Sequence, residues 1–223
     1  EIIRQALSGE AVNHEGRFYN LRRFRLGASP IQKRIPIYLA SLGPKNLDLT
    51  GELADGWLPI WVHQGHLAGL KEQVAKGAAR AGRDISEISV APQIMCHVAD
   101  GDEDLADAER RVRAHMTYYI GGMGTYYYDL FSRYGYKAQA DALREAWVAG
   151  DRAKAASSIT DEMLNNVTIL GDAATCRAKL DQFRRSGADM PLVAFPRGSS
   201  LPAMFRTLDA LAPRVTSRAT PSS

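Results

Sequence analysis

A short stretch decides the fold: IPIYLASLGPK at positions 35–45. Its first part, Ile35 to Ala40, is an apolar run with a proline near its start, where a strand tolerates one. Ser41 to Gly43 interrupts the run, and a helical pattern follows from Lys45 to about Ala54. The stretch therefore predicts a strand, a loop and a helix, which together form one βα unit of a parallel sheet.

Three further apolar runs, at 57–62, 88–99 and 190–196, alternate with helical patterns along the chain. Strands that are apolar throughout are typical of parallel sheets covered by helices on both faces, so the sequence predicts an α/β fold. Four βα units form either an open sheet or half of a (β/α)8 barrel. Because helical spacing starts at Ile2, we expect a piece of a larger domain.

The remaining pattern predicts mostly helices. We expect a first helix from residue 2, extended pieces at 16–19 and 24–26, a helix over 67–81 closed by Gly82, a helix opening at Asp102, a Tyr-rich helical stretch to about Asn166, a helix capped by Asp172 and ended by Gly187, and a final helix over 201–211.

Composition excludes several classes of protein. The 223 residues carry 28 Lys and Arg against 25 Asp and Glu, a net charge of +3, which gives no basic surface for nucleic acid. No stretch approaches the roughly 20 apolar residues that cross a bilayer. The two cysteines predict neither a disulfide framework nor a metal site, and a reducing, cytoplasmic location is expected.

The loop after the first predicted strand is a candidate phosphate site. Gly43 lets a ligand approach the backbone, and the following helix presents unpaired N–H groups and the positive end of its dipole. Ser41 adds a hydroxyl group and Lys45 a positive charge. The alternative is an ordinary βα turn in which Gly43 and Pro44 only end the strand.

The same stretch, followed by GELADGW at 51–57, resembles the central signature of luciferase-like monooxygenases, in particular the branch that uses the 5-deazaflavin coenzyme F420. Further segments that resemble the family lie upstream at 14–19 and downstream at 118–124, 147–151, 170–172 and 187–189, in the family's order.

The resemblance implies a TIM barrel of the bacterial luciferase type, of which residues 1–215 form the part with strands five to eight. A helical insertion then precedes strand eight, and residues 216–223 form a disordered tail. The implied activity is hydride transfer between F420 and a small organic substrate. The resemblance implies that the coenzyme is bound by Ala40, Ser41, Leu42, Gly43, Trp57 and Pro59.

Two alternatives stay open: an FMN-dependent monooxygenase, and a barrel fragment without catalytic activity. The resemblance assigns no catalytic acid or base and no metal, and it leaves a homodimer open.

Other candidate residues each have a structural alternative. Trp61 borders the coenzyme or packs in the core, and His63 and His66 either contact a phosphate or are exposed loop residues. His97 alternates with apolar residues, which favours a hydrogen-bonded core histidine. Arg197 follows the last strand and either binds an anion or is exposed. The seven tyrosines between 118 and 136 form either an aromatic lid or a packed insertion.

Overall fold

The computed structural model describes residues 1–28, 30–32 and 34–213. The chain divides into two compact units, Glu1–Tyr38 and Leu39–Ser223. The expected tail at 216–223 lies outside the described residues, so that expectation stays a prediction.

The first unit consists of helix α1 (Ile2–Leu7) and an antiparallel hairpin of strands β1 (Val12–Glu15) and β2 (Asn20–Phe24). The expected extended piece at 16–19 is wrong, because these residues form the hairpin turn, in which the Gly16 N–H donates to the Tyr19 carbonyl at 3.1 Å. Its aromatic residues look like strand formers, but they are exposed at the tip of the hairpin. The piece expected at 24–26 is strand only at its first residue.

The second unit alternates strands and helices. Its elements, with β3 straddling the boundary between the units, are β3 (Tyr38–Leu39), α2 (Pro44–Leu53), β4 (Gly56–Trp57), α3 (Leu67–Arg80), β5 (Ser89–Val90), β6 (Gln93–Val98), α4 (Asp102–Gly122), α5 (Tyr126–Phe131), α6 (Lys137–Val148), α7 (Arg152–Ser157), α8 (Asp161–Val167), β7 (Thr168–Gly171), α9 (Ala173–Arg185), β8 (Leu192–Ala194) and α10 (Leu201–Leu211).

The hydrogen bonds on the two edges of β5 and β6 show the order of the strands. On one edge, the N–H groups of Ser89, Ala91 and Gln93 donate to carbonyls of the β4 segment. On the other edge, the carbonyls of Val90 and Pro92 accept from the β8 segment. Since successive peptide groups of a strand point to opposite edges, β5 and β6 lie between β4 and β8, and β3 hydrogen-bonds to β4.

All four predicted strands exist but are shorter than predicted. The run at 88–99 is divided into β5 and β6, and the run at 57–62 is strand only at its start, apart from a bridge between Ile60 and Gln93. β7 is not among the predicted strands. It pairs in parallel with residues 95–98 of β6. The described strands form an α/β fold and do not close into a barrel.

The helices agree with their predicted positions. α2, α3, α9 and α10 begin and end close to where the pattern placed them, and α4 opens at Asp102. The side chain of Asp172 caps α9 by accepting from the Thr175 N–H, and Gly82 follows α3 with a positive φ of 69°. The Tyr-rich stretch is helical but divided into α4 to α8, with a π-helical turn at 132–136 between α5 and α6.

The core has two layers. The first contains Val90, Ile94, Cys96 and Val98 of the central strands, packed against residues of α2, α3 and α9. The second contains Trp61 and Met95 together with the buried residues of α4 to α8. The central strands are therefore covered on both faces, as parallel strands require. Within the described part of the chain, every helix is too short or too polar to span a bilayer.

Candidate functional site

The loop at 40–43 between β3 and α2, here called the β3–α2 loop, is held by a chain of hydrogen bonds. The Ser41 hydroxyl lies 2.6 Å from the Thr50 hydroxyl, which donates to the Asn46 carbonyl at 2.7 Å. Because Thr50 uses its only proton on Asn46, the Ser41 hydroxyl donates to Thr50. Ser41 is 3% exposed. Its hydroxyl therefore ties the loop to α2, and it can accept a hydrogen bond from a ligand but not donate one.

Trp57 and Pro59 support the loop from behind. Trp57 is fully buried, and its indole Nε1 donates to the Ser41 carbonyl at 2.8 Å. Pro59 is also buried, and its carbonyl accepts from the Gln93 N–H at 2.8 Å. Both residues thus fix the position of the strand and loop, and neither presents a side chain to solvent.

Gly43 leaves the start of α2 open. Its φ of −87° and ψ of 151° are accessible to any residue, so the backbone does not require glycine here. A Cβ built at Gly43 would meet no heavy atom of the described residues within 4 Å. Pro44 occupies the first helical position, and the N–H groups of the first turn with the positive end of the helix dipole point toward this space. This arrangement suits an anion.

The other two predicted residues flank this opening. Ala40 is exposed, and Leu42 is partly buried against the second core layer. Of the six predicted residues, Ala40, Leu42 and Gly43 are therefore not buried, whereas Ser41, Trp57 and Pro59 are.

Helix α2 is seated on α3 by contact between backbones. A Cβ at Gly51 would lie 2.1 Å from the Val74 carbonyl oxygen, and one at Gly77 would lie 2.1 Å from that of Asp48. Real Cβ atoms do not approach that closely, so both positions need glycine. The close packing fixes the direction of α2, and with it the direction in which the open N-terminus points.

A second group of polar residues lies at the carboxyl ends of β4 and β8. Trp61, His115, Tyr119 and Tyr127, here called the aromatic cluster, make edge contacts with ring centroids between 4.5 and 5.7 Å apart. Trp61 is among the candidates predicted from the sequence, whereas His115 is not. Arg111, His115 and Tyr119 recur every four residues on α4, and this spacing was the signal that could have found them.

Trp61 is strained and incompletely hydrogen-bonded. Its φ of 57° is in the left-handed region, which is a costly conformation for a bulky residue. The side chain is 1% exposed, and within the described chain neither its indole Nε1 nor the Nδ1 of His115 has a hydrogen-bond partner. Leaving a buried polar group unpaired costs about 1–3 kcal/mol. Strain and unpaired groups of this kind concentrate at functional sites.

Arg197 lies in a turn that three hydrogen bonds hold in place. The Ser199 N–H and hydroxyl both donate to the Pro196 carbonyl, at 3.1 and 2.7 Å, and Arg111 of α4 donates to the Gly198 carbonyl at 2.6 Å. Burial lowers the pKa of His115, and the positive charge of Arg197 lowers it further. Arg197 itself is exposed.

His63 belongs to a separate hydrogen-bonded group. Its Nδ1 accepts from the Gly65 N–H at 3.0 Å, so the neutral ring carries its proton on Nε2, 3.3 Å from the Tyr136 hydroxyl. Tyr136 donates to Glu162 at 3.3 Å. Burial lowers the pKa of His63, as does its neighbour His66, which is exposed.

His97 is a hydrogen-bonded core histidine, as predicted. It is 4% exposed, and its Nε2 lies 3.0 Å from a carboxylate oxygen of Asp104. The same oxygen accepts from Arg206 at 2.6 Å and from the Asp100 N–H at 2.8 Å. These contacts join β6, α4 and α10. Among the described residues, His, Cys, Asp and Glu side chains form no group of three that could hold a metal ion.

The chain matches one protein family and resembles several named proteins. The luciferase-like monooxygenase family profile matches residues 1–190. A protein of Mycobacterium tuberculosis, provisionally named a coenzyme F420-dependent oxidoreductase, is 31% identical over 214 residues, which cover 86% of this chain and 60% of the relative. The 5,10-methylenetetrahydromethanopterin reductase of Archaeoglobus fulgidus is 29% identical over 203 residues, or 89% of this chain and 59% of the relative.

The chain thus spans about 60% of the length of these relatives. The solved structure of the coenzyme F420 dependent tetrahydromethanopterin reductase from Methanopyrus kandleri shares the fold, with a TM-score of 0.70 and 24% identity over 88% of this chain and 55% of that chain. Since the family match covers most of its residues, the chain belongs to the luciferase-like monooxygenase family.

Proposed function

We propose that the protein is an oxidoreductase that transfers a hydride between coenzyme F420 and a small organic substrate. The observation that carries this proposal is the open N-terminus of α2 at Gly43, held in place by the bond between Ser41 and Thr50. The names of the relatives from Mycobacterium tuberculosis and Archaeoglobus fulgidus support the same coenzyme and reaction class.

In this proposal, the strands correspond to the second half of a (β/α)8 barrel. β3, β4, the β5–β6 pair and β8 would be its strands five to eight, with α4 to α8 as the helical insertion. The order of these strands along the sheet supports this assignment. In such barrels, ligands bind at the carboxyl ends of the strands, which is where the β3–α2 loop lies.

The residues of the loop suit the phosphate group of F420. The backbone N–H groups at the start of α2 would hold the phosphate, and Gly43 would allow it to approach. Ser41, Trp57 and Pro59 would position the loop, while Ala40 and Leu42 would flank the ligand. When bound, F420 supplies two-electron hydride chemistry, and the chain supplies its orientation and electrostatic environment.

A coenzyme titration tests this proposal. The purified chain is titrated with F420, FMN and NADPH, and binding is followed by calorimetry. We expect F420 to bind more tightly than either of the others. Tighter binding of FMN with oxygen-dependent turnover would identify a flavin monooxygenase instead, and a folded chain that binds none of the three would identify a fragment without catalytic function.

Two variants locate the phosphate. Gly43→Val places a branched side chain where the phosphate would lie, and we expect F420 affinity to fall by tenfold or more. Gly69→Val is the matched control, because Gly69 is an exposed glycine of α3 whose Cβ also meets open space among the described residues. The double variant Ser41→Ala, Gly43→Val should lose binding. Unchanged affinity for F420 in Gly43→Val would refute the phosphate site.

Two predictions about the whole protein are retained: its substrate is a small molecule and its location is the cytoplasm. A homodimer stays open. The names of the reductase relatives support a small-molecule substrate.

A further inference from the structure

Three functional groups lie near the carboxyl ends of the central strands. Trp61 follows β4 and Arg197 follows β8, and the β5–β6 strands lie between them. Helix α4 contributes His115, whose ring is 5.4 Å from that of Trp61. Because carboxyl ends of parallel strands are where α/β proteins bind ligands, the position alone makes this a candidate site.

The unpaired atoms at this point indicate what the ligand would offer. The indole Nε1 of Trp61 can only donate a hydrogen bond, so it needs an acceptor. The Nδ1 of His115 is buried and unpaired beside it, within the described part of the chain. The guanidinium of Arg197 acts on His115 as a positive charge. A ligand oxygen with negative charge would satisfy the indole and offset the arginine, and the neutral imidazole can donate to it as well.

We propose that Trp61, His115 and Arg197 form a substrate subsite that binds a carboxylate group of the substrate. The inference rests on the proposed oxidoreductase function, since it identifies the substrate class of that enzyme as small organic carboxylates. None of the three residues belongs to the loop assigned to the coenzyme phosphate.

Tyr119 is the ring that we expect to cover this subsite. Water does not reach the two unpaired atoms, so a carboxylate reaches them only after a covering ring moves. Tyr119 contacts both Trp61 and His115, and it is partly exposed. Its ring also packs edge-on against that of Tyr127, with the ring centroids 4.5 Å apart.

Calorimetric titration with benzoate and benzamide tests the subsite, because the two probes share one shape and differ in charge. We expect the chain to bind benzoate, and benzamide at least about tenfold more weakly. Trp61→Phe removes the indole N–H and keeps an aromatic ring, and it should weaken benzoate binding about tenfold. Arg197→Gln should remove most of the preference for benzoate.

Matched control variants show whether a loss of benzoate binding is specific to Trp61 and Arg197 or follows from any similar substitution. Trp147→Phe changes a tryptophan of α6 that stacks under Arg152, and Arg185→Gln changes an exposed arginine at the end of α9. Both should bind benzoate as the unmodified chain does. If Trp61→Phe does not fold, the pair His115→Leu and His115→Asn decides, because asparagine can restore the donor and leucine cannot.

The subsite is refuted if the unmodified chain does not bind benzoate. It is also refuted if Trp61→Phe binds benzoate as tightly as the unmodified chain does. The same variants are titrated with F420 and with the coenzyme lacking its acidic tail. If Trp61→Phe or Arg197→Gln weakens only the tailed coenzyme, the occupant is the tail and the subsite is refuted. If benzoate binds through Trp61 while F420 does not bind at all, the proposed coenzyme fails and the carboxylate subsite stands.

Discussion

The direction of the hydrogen bond between Ser41 and Thr50 leads to an asymmetric pair of mutational effects. Both side chains are buried, at 3% and 0% exposure. In Ser41→Ala, the Thr50 hydroxyl keeps its bond to Asn46 and loses only an incoming bond, so we expect a loss of about 1 kcal/mol in the free energy of unfolding. In Thr50→Val, the Ser41 proton has no acceptor, and we expect a larger loss of about 2–3 kcal/mol.

The double variant sharpens this expectation. Ser41→Ala with Thr50→Val leaves neither a buried donor nor a buried acceptor, so its loss should be about 1 kcal/mol smaller than the sum of the two single losses. Thr117→Val is the matched control, because Thr117 of α4 is also buried and donates to the carbonyl four residues earlier, that of Arg113, at 2.7 Å. It should cost about 1 kcal/mol less than Thr50→Val.

Urea unfolding followed by circular dichroism gives these free energies. If Ser41→Ala destabilises the chain more than Thr50→Val does, the donor direction is wrong. If the two losses add to within about 0.3 kcal/mol, the hydroxyl groups do not interact, and Ser41 does not tie the loop to α2 through Thr50.

Two further predictions concern packing and pH. Gly77→Ala should lower the unfolding midpoint and weaken F420 binding, because its Cβ would lie 2.1 Å from the Asp48 carbonyl oxygen. Gly69→Ala should raise the midpoint, because alanine adds helix propensity at a position with open space. Equal midpoints for the two variants would contradict the close contact at Gly77. The pKa values of His63 and His115 are lowered below 6.5 in the folded chain, so the unfolded chain binds protons first and stability should fall as the pH drops below about 6.5. The variants His63→Gln and His115→Asn should each lose part of this dependence in urea titrations between pH 7 and 5, and unchanged profiles in both would contradict the burial of these rings.

The sequence predicted most of the elements because their patterns are local. The face of α9 and the cap at Asp172 are examples, since both can be recognised from residues within one or two turns of each other. β7 was missed because Thr168 to Gly171 follows α8 directly, without a glycine or proline to mark its start. Its strand conformation depends on pairing with β6, which lies about seventy residues earlier in the chain.

The site was predicted less completely than the fold, for the same physical reason. Ser41 was correctly placed in the loop, but its hydroxyl was assigned to a ligand, whereas the structure directs it to Thr50 of the next helix. His115 lies in a polar helical segment, and its contact with Trp61 joins α4 to the residues that follow β4. Helical periodicity shows that such residues share a face, but it does not show which residue of another element they contact.

The strand order explains why the coenzyme and substrate measurements are expected to be independent. Gly43 follows β3 and Arg197 follows β8, so three inter-strand steps of about 4.8 Å, or about 14 Å along the sheet edge, separate the two anion positions. This exceeds the screening length of about 8 Å at physiological ionic strength. Charge removed at Arg197 should therefore leave the F420 affinity unchanged, and Gly43→Val should leave the benzoate affinity unchanged, because the two positions act independently. A strong coupling between them would mean that one ligand occupies both positions.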